Sequence, residues 1–421
     1  MENNITINNR IPQLRFPGYT GDWEEKSLGE VGVFVRGLSY NKGEVTQDRA
    51  ATLVLRSNNI IQDGVVDCRN GLQFVTKEPS SEQILQKGDI VICLSNGSSN
   101  LVGKSANYEG DYAGIATVGA FCGIYRSTAP ITKYLVQTPA YKKSVELIKQ
   151  GGNGALANLY GRDILGLKFY FPTLEEQNEI VECLEAEDRM ISAQEQKVES
   201  LKVHKKGLMQ QLFPQPGATT PALRFPGFTG KWQEKKLNKV FSRVTRKNAE
   251  NNQNVLTISA QYGLISQLEF FKKSVASSDV TGYYLLHRGE FAYNKSSSQG
   301  RPVGAIKPLR LYDKGVVSTL YICFKCNNPE EIAFWEQYFD AGILDSEILS
   351  IAQEGARNHG LLNISTGDFF GLNVILPTLP EMKKIAECLS SFDDVITAAE
   401  NELDSLKAHK KGLMQQLFPQ L

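Results

Sequence analysis

The sequence contains no apolar run of the ~18–20 residues that a membrane-spanning helix needs. Its first residues, MENNITINNRIPQ, include neither a basic nor an apolar segment, so we expect no secretory signal. The seven cysteines are an odd number, which favours reduced thiols in the cytoplasm over a disulfide framework. With 421 residues the chain is too long for one ordinary core, and we expect two or more domains.

The chain also lacks net charge, because 46 Lys and Arg residues balance 46 Asp and Glu residues. The bulk charge therefore gives no sign of a nucleic-acid partner. Residues 12–171 and 221–376 carry a small basic surplus, whereas 172–213 and 377–421 carry an acidic one. Surpluses of this size are common on solvated surfaces, so the alternation by itself identifies no partner.

Signatures of catalysis and of metal binding are missing. The segment GSSNLVGKS (97–105) has five residues between its first Gly and the Gly-Lys pair, where a P-loop has four. CFKC (323–326) is a lone CxxC without a second pair, which disfavours zinc. The four histidines form neither an HExxH motif nor a triad, and no Asn/Asp-Pro-Pro-Tyr/Phe signature of adenine methyltransferases occurs. We expect no catalytic residue, metal or cofactor on this chain.

What the chain does have is a long internal repeat. Its most similar part is KKGLMQQLFP, which occurs at 205–214 and again at 410–419. Three pairs of segments match in the same order: 14–28 with 223–237, 172–184 with 377–389, and 200–215 with 405–420. The order is therefore block, tail, block, tail, and the middles of the blocks have diverged.

Each tail predicts one long helix. Thr173 and Thr378 are expected to cap the helices, with Glu176 and Glu381 reaching back to the cap. Apolar residues then follow a heptad spacing, which is typical of a coiled coil. A Phe-Pro pair ends each tail, since Pro cannot continue a helix. About 39 residues would give a rod of about 58 Å.

The connectivity predicts how the tails pair. The first tail ends where the second block begins, and by the repeat the second tail should end where the first block begins. Two tails that join the same bodies in opposite directions must be antiparallel, which predicts a coiled coil with pseudo-twofold circular symmetry. The alternative is that each tail folds back on its own block as an amphipathic helix.

The blocks combine short β-rich segments with helical segments at 132–150 and 330–353, so we predict an α+β (mixed α/β) fold. The predicted organisation is a first globular domain at 1–171, a helix at 172–213, a linker and second domain at 214–376, and a second helix at 377–421.

Polar loops recur at corresponding places in both blocks and favour DNA binding. Arg and Lys can bind guanine O6 and N7, Asn and Gln can pair with adenine, and Ser or backbone N–H groups bind phosphates. One such loop is weak evidence, whereas recurrence in both blocks is stronger. The candidates in the first block are Arg36, Ser39, Tyr40, Lys42, Asn96, Ser98, Lys104, Asn153, Asn158 and Arg162. Those in the second block are Arg243, Arg246, Lys247, Gln261, Tyr262, Lys295, Ser296, Ser298, Arg301, Arg357 and Asn358.

The block openings LRFPGYTGDWEEKSLGEV and LRFPGFTGKWQEKKL, with KKGLMQQLFP ending both halves, resemble the specificity (S) subunit of bacterial type I restriction–modification systems. The resemblance covers nearly the whole chain. It implies that the blocks are target recognition domains, each reading half of a bipartite site in double-stranded DNA. It also implies that the paired helices set the spacer and dock two methyltransferase (M) subunits.

The resemblance further implies a non-catalytic subunit that also assembles with restriction/translocase (R) subunits. S-adenosylmethionine, ATP and Mg²⁺ are then expected on those partners, with no cofactor on this chain and no membrane contact. Two alternatives stay open: a non-DNA coiled-coil scaffold that presents two protein-binding domains, and an enzyme with an unrecognised site. DNA binding in the presence of the methyltransferase distinguishes the first alternative, and metal-dependent cleavage by the isolated chain would support the second.

Overall fold

The computed structural model describes residues 11–61, 64–150, 158–259, 263–271, 279–296, 302–352 and 362–419. The chain forms two compact units. Unit 1 consists of Met1–Gln194 and Glu402–Leu421, and unit 2 consists of Glu195–Asn401. Each of two 39-residue helices contributes residues to both units. Across the described ranges, we find no helix with the length and apolar character needed to cross a membrane.

Unit 1 is built mainly from antiparallel strands. The strands are β1 (Glu24–Ser27), β2 (Gly32–Arg36), β3 (Val45–Thr46), β4 (Thr52–Leu55), β5 (Gln73–Val75), β6 (Ile90–Cys93), β7 (Ser105–Asn107), β8 (Ala116–Val118), β9 (Cys122–Ser127) and β10 (Lys168–Phe171). The helices are α1 (Thr132–Leu135), α2 (Pro139–Gln150), α3 (Gly161–Leu165) and the start of α4 (Leu174–Leu212). The sheets have the orders β2-β9-β6-β7, β3-β5-β4-β8 and β1-β10, and only β4 and β8 pair in parallel among these strands.

The central strand β6 lies between two hydrophobic cores. Ile90 and Ile92 pack into one core, while Val91 and Cys93 pack into the other. Successive side chains of a strand point to opposite faces, so a strand that is covered on both faces needs an unbroken apolar run. The letters IVIC, all buried, meet that requirement.

Unit 2 repeats one four-stranded sheet and one two-stranded sheet of unit 1. Its strands are β11 (Gln233–Lys236), β12 (Phe241–Arg243), β13 (Leu256–Ser259), β14 (Gly263–Ser266), β15 (Tyr284–His287), β16 (Phe291–Asn294), β17 (Ala305–Pro308), β18 (Lys314–Val317), β19 (Ile322–Cys326) and β20 (Asn373–Leu376). Its helices are α5 (Leu237–Val240), α6 (Gln267–Phe271), α7 (Ile332–Asp340), α8 (Asp345–Ile351), α9 (Thr366–Gly371) and the start of α10 (Leu379–Leu417). The sheet order β12-β19-β16-β17 corresponds to β2-β9-β6-β7 of unit 1. The other described strands of unit 2, outside the two repeated sheets, pair as β13-β14 and β15-β18.

The same alternation occurs in β16, the counterpart of β6. Phe291 and Tyr293 pack into an aromatic-rich core, and Ala292 between them packs into the other core of the unit. The rings of Phe291 and Phe324 are stacked, with centroids 5.4 Å apart. Unit 2 therefore keeps the order of this sheet but has Phe291 and Tyr293 where unit 1 has Ile90 and Ile92.

Each long helix is anchored at its start by an arginine from the opening segment of its block. Both carboxylate oxygens of Glu176 accept hydrogen bonds from Arg15, at 2.7 and 2.8 Å. Glu381 accepts the same two bonds from Arg224, both at 2.7 Å. Both carboxylates are almost completely buried. We predicted that these glutamates would reach back to cap their own helices; that was wrong, because a guanidinium that donates two hydrogen bonds to a carboxylate is the stronger partner.

Inside unit 1, α4 and α10 run antiparallel. Asp188 pairs with Lys410, and Gln194 donates to Glu402 at 2.9 Å. Residue numbers therefore increase along α4 in the direction in which they decrease along α10. The end of α10 reaches the core of the unit, where Leu417 is buried in the same cluster as Leu184.

Inside unit 2, the helices exchange roles. Lys205 of α4 pairs with Asp393 of α10 at 2.6 Å, and the end of α4 reaches the core of the unit, where Leu212 is buried in the same cluster as Leu389. The predicted antiparallel pairing is therefore present in both units. The alternative, in which each tail contacts only its own block, is wrong, because each block also packs against the end of the other tail.

Candidate nucleic-acid interface

In unit 1, four segments meet where β6 ends and β9 begins. Backbone hydrogen bonds join them: the N–H groups of Leu94 and Ser95 donate to the carbonyl of Phe121 at 2.8 and 3.2 Å, and that of Leu159 donates to Leu94 at 2.9 Å. The N–H of Gly37 donates to the carbonyl of Cys122 at 3.1 Å. We call this edge the unit 1 rim, and it comprises 36–40, 95–98, 119–121 and 158–162.

Several candidate DNA-binding residues lie on this rim with their side chains exposed. Arg36 ends β2 opposite Gly123, and Asn158 forms a β-bridge with Ser95. Arg162, whose side chain is 83% exposed, holds its guanidinium 5.2 Å from the ring centroid of Tyr160. Ser39 and Ser98 are also exposed. The structure thus brings hydrogen-bond donors from three separate loops to one edge of the sheet.

Other candidates of unit 1 use their polar atoms inside the fold. The amide of Asn96 donates to Ser57 Oγ at 2.8 Å, and its oxygen accepts the N–H of Ser98 at 2.9 Å. The Lys104 ammonium donates to the carbonyl of Ile60. Tyr40 is half-buried beside a small apolar cluster, and Lys42 is exposed in a short 3-10 turn before β3. Asn96 and Lys104 therefore shape the loop that carries Ser98.

Unit 2 has a corresponding edge at the end of β16. The N–H of Leu362 donates to the carbonyl of Lys295 at 3.0 Å, which repeats the Leu159 to Leu94 bond of unit 1. The Lys295 ammonium lies 3.4 Å from the carbonyl of Ile364, and Ser296 is exposed beside it. Arg243 is exposed at the end of β12. We call this edge, 294–296 with 318–320 and 362–364, the unit 2 rim.

Arg246 and Lys247 both have partners within unit 2. Arg246 binds both carboxylate oxygens of Glu290 at 3.0 and 3.1 Å, and this hydrogen bonding raises the pKa of Arg246. The Lys247 ammonium donates to the carbonyl of Gly282 at 2.7 Å and sits 4.5 Å from the ring centroid of Tyr284. Both side chains therefore support the fold.

The remaining candidates lie outside the described residues: Asn153, Gln261, Tyr262, Ser298, Arg301, Arg357 and Asn358. Sequence reasoning also missed two exposed aromatic residues on the unit 1 rim, Phe121 and Tyr160. Phe121 lies in GIATVGAFCGIYR, whose apolar letters suggested continuous strand, and only Gly119 marks the turn. In the described part of the chain, we find no group of three or more His, Cys, Asp or Glu residues that could hold a metal ion.

Comparison with known proteins finds a family match in the first half of the chain. Residues 20–203 match the family model of the type I restriction modification DNA specificity domain. These residues are therefore similar to a type I specificity domain. The resemblance that we inferred from the repeated motifs is thereby confirmed.

Two curated relatives support this assignment. The chain is 30% identical over 171 residues to the specificity subunit of the type I restriction enzyme StySPI from Salmonella potsdam. It is equally similar to the EcoKI specificity subunit from Escherichia coli (strain K12). Each match covers 39% of this chain and 35% of the relative, so the chain spans about a third of the length of these curated relatives.

Solved structures extend the likeness beyond the specificity domain to nearly the whole chain. The type I restriction-modification S subunit from M. genitalium matches with a TM-score of 0.54 and 12% identity, covering 98% of this chain and 100% of that one. A chain from a structure of the assembly and conformational transition of the type I R-M system matches with a TM-score of 0.52 and 16% identity, covering 97% and 99%. At these identities the likeness shows the fold alone. It confirms the mixed fold of two sheet-rich domains with long helices.

Proposed function

We propose that this chain is the sequence-specific DNA recognition subunit of a type I restriction–modification complex. Each block reads one half of a bipartite site in double-stranded DNA, and the unread spacer between the halves is set by the antiparallel helices. The observation that carries the proposal is a contrast inside the molecule. The anchoring pairs, such as Arg15 with Glu176 and Arg224 with Glu381, are the same in both units, while the rims differ.

The rims supply the chemistry for reading bases and for gripping phosphates. Arg36 and Arg162 present exposed guanidinium groups, which can bind guanine O6 and N7 or a phosphate. Asn158 presents an exposed amide, the group that pairs with adenine. The unit 2 rim carries Lys295 and Ser296 at positions where unit 1 has Leu94 and Ser95. Two different sets of donors read two different half-sites.

The near-neutral charge of the chain fits a subunit that binds DNA within a larger complex. Counterion release drives most non-specific DNA affinity, and it requires many Lys and Arg contacts to phosphates. This chain has 46 basic and 46 acidic residues, so by itself it has no surplus of positive charge to drive counterion release. The methyltransferase subunits, and the restriction/translocase subunits in the complete assembly, then provide further phosphate contacts.

Docking of two methyltransferase subunits is assigned to the outward faces of the repeated tails. Lys205 and Lys410 are occupied in pairs between the helices. Lys206 and Lys411, one residue further on, are exposed at equivalent positions. Sequence that docks the same partner twice must stay the same in both halves, whereas sequence that reads different bases must differ. The catalytic chemistry, with S-adenosylmethionine, ATP and Mg²⁺, belongs to the partners, and this chain is non-catalytic.

Mapping of methylated adenines in the genome of a host that expresses this chain with its methyltransferase tests the proposal. We expect one bipartite motif with a fixed spacer. Replacing residues 221–376 by the corresponding block of another specificity subunit should change one half of the motif and leave the other half unchanged. Two results would contradict the assignment of one block to each half-site. The assembled complex could lose all methylation, or both halves of the methylated motif could change. A non-DNA scaffold would produce no motif at all.

A further inference from the structure

The turn before β9 on the unit 1 rim and the turn before β19 on the unit 2 rim each carry a large apolar side chain that is exposed to solvent. Phe121 is 71% exposed, and Leu320 is 61% exposed. Phe121 lies on the turn between β8 and β9, and Leu320 lies on the turn between β18 and β19. Single exposed apolar residues are common on protein surfaces and need no explanation when they are scattered. These two recur on the corresponding turn of two diverged blocks.

The strand register places the two side chains at the same position. Ile92 of β6 pairs with Gly123 of β9, and two residues further on, just past the end of β6, the Leu94 N–H donates to the Phe121 carbonyl. Tyr293 of β16 pairs with Ile322 of β19, and the same step places Lys295 opposite Leu320. The carbonyls of Leu94 and Lys295 also accept the equivalent hydrogen bonds described above. The positional match therefore rests on backbone geometry and does not depend on sequence alignment.

The surroundings of both side chains are polar. The carbonyl of Phe121 is bonded to the N–H of Ser95, next to the loop that carries Ser98, and Arg36 lies opposite Gly123 on the same strand. Lys295 and Ser296 lie beside Leu320 in unit 2. An apolar side chain surrounded by hydrogen-bond donors suits a partner with an apolar surface between acceptor groups. Base pairs of duplex DNA have this character, since apolar faces and thymine methyl groups lie between phosphates and base-edge acceptors.

We propose that Phe121 and Leu320 each pack against a base of one half-site and contribute affinity and specificity there. The inference rests on the proposed function. The shared chemistry is burial of an apolar side chain on a base, either against a thymine methyl group in the major groove or as a wedge between neighbouring bases. Because one side chain is aromatic and the other is aliphatic, the two half-sites differ at the contacted base.

The test uses the complex of the full chain with its methyltransferase subunits and a duplex that carries the mapped bipartite site. Phe121→Ala and Leu320→Ala are compared with Ile115→Ala and Leu311→Ala. These control residues are also exposed apolar side chains, and they precede β8 and β18 at the end of the strand away from the rim. We expect each rim variant to bind about tenfold more weakly and the controls to bind like wild type. Phe121→Leu should recover part of the loss, since leucine occupies this position in unit 2.

Two substituted duplexes then identify the base contact. Deoxyuridine in place of thymidine removes the methyl group, and 2-aminopurine reports unstacking by increased fluorescence. For Phe121, we expect one of the two probes to respond in the first half-site with wild type and to lose that response in Phe121→Ala. Three results would overturn the inference. The rim variants could both bind DNA with wild-type affinity, or they could lose no more affinity than the controls. They could also lose affinity while neither probe responds. A wild-type complex that binds the mapped site no tighter than a scrambled duplex overturns the proposed function, and with it the inference.

Discussion

Lys410 of α10 pairs with Asp188 of α4 in unit 1, and the pair recurs in unit 2 with the helices exchanged, as Lys205 of α4 with Asp393 of α10. In each unit a side chain from the globular block also donates to the carboxylate: Tyr134 to Asp188, and Gln337 to Asp393, both at 2.8 Å. Each pair therefore fixes the register of the two helices and their position against the block.

The Lys410–Asp188 pair should show measurable coupling. The lysine side chain is largely buried and the carboxylate is about half exposed, so we expect a coupling free energy of about 1 kcal/mol between Lys410→Ala and Asp188→Ala. Urea unfolding of the wild type, both single variants and the double variant gives this value. Additive effects of the two substitutions would show that the pair contributes nothing beyond its separate side chains.

The Arg15–Glu176 anchor should matter far more than a surface pair. The Glu176 carboxylate is buried, so Glu176→Ala leaves the guanidinium without its partner and should lower the free energy of unfolding by about 3 kcal/mol. Glu182→Ala, on an exposed position of the same helix, is the matched control and should change it by less than about 0.5 kcal/mol. The free energy of unfolding of each variant is measured by chemical denaturation, with hydrogen exchange in unit 1 as the signal. Equal effects of the two substitutions would contradict the anchor.

Substitution of one arginine in each unit should separate an effect on DNA binding from an effect on stability. Arg36 is exposed on the rim, and Arg36→Ala should weaken DNA binding of the assembled complex by about 1–3 kcal/mol with unfolding unchanged. Arg246 is held by Glu290, and Arg246→Ala should lower the stability of unit 2. Electrophoretic mobility shifts and thermal unfolding of both variants provide the two measurements. Destabilisation by Arg36→Ala would remove this residue from the DNA-binding set.

The thiols of CFKC should resist alkylation in the folded chain. Burial raises the pKa of Cys323 and of Cys326 to about 12. At pH 8 a thiol with so high a pKa is almost entirely protonated, and the thiolate is the reactive form. Iodoacetamide labelling followed by mass spectrometry should therefore modify both residues only after unfolding. Labelling of either thiol in the folded protein at the rate of the unfolded chain would show that the strand β19 opens.

The scaffold could be predicted from the sequence because its signals are local and occur twice. The heptad spacing, the Phe-Pro ends and the repeat order together predicted two long antiparallel helices. The partners of Glu176 and Glu381 could not be predicted. Arg15 is 161 residues away from Glu176, and the only local signal for that glutamate was a capping box.

The rims were only partly predictable for a related reason. Composition shows that a loop is polar, and it does not show where each polar atom points. Asn96 and Arg246 have the residue types of base-reading side chains, yet the fold uses their polar groups internally. Conversely, Phe121 has the residue type of a core side chain, and its exposure depends on a turn that only Gly119 marks in the sequence.

The proposed role of the helices as a spacer can be tested by lengthening both at once. Seven residues that continue the heptad are inserted after Gln194 and after Asn401, where α4 and α10 pass between the units, so both lysine–aspartate pairs are retained. An insertion in α4 alone is the control, because it disrupts the register of the helix pair. Seven helical residues add about 10 Å, which corresponds to about three base pairs at 3.4 Å each.

Methylated adenines are then mapped in the genomes of hosts that carry the wild-type chain or the doubly lengthened chain, each with the methyltransferase. We predict that both half-sites stay the same and that the unread spacer between them grows by about three base pairs. An unchanged spacer with both half-sites still methylated would contradict the assignment of the paired helices as the element that sets the distance between the two recognition blocks.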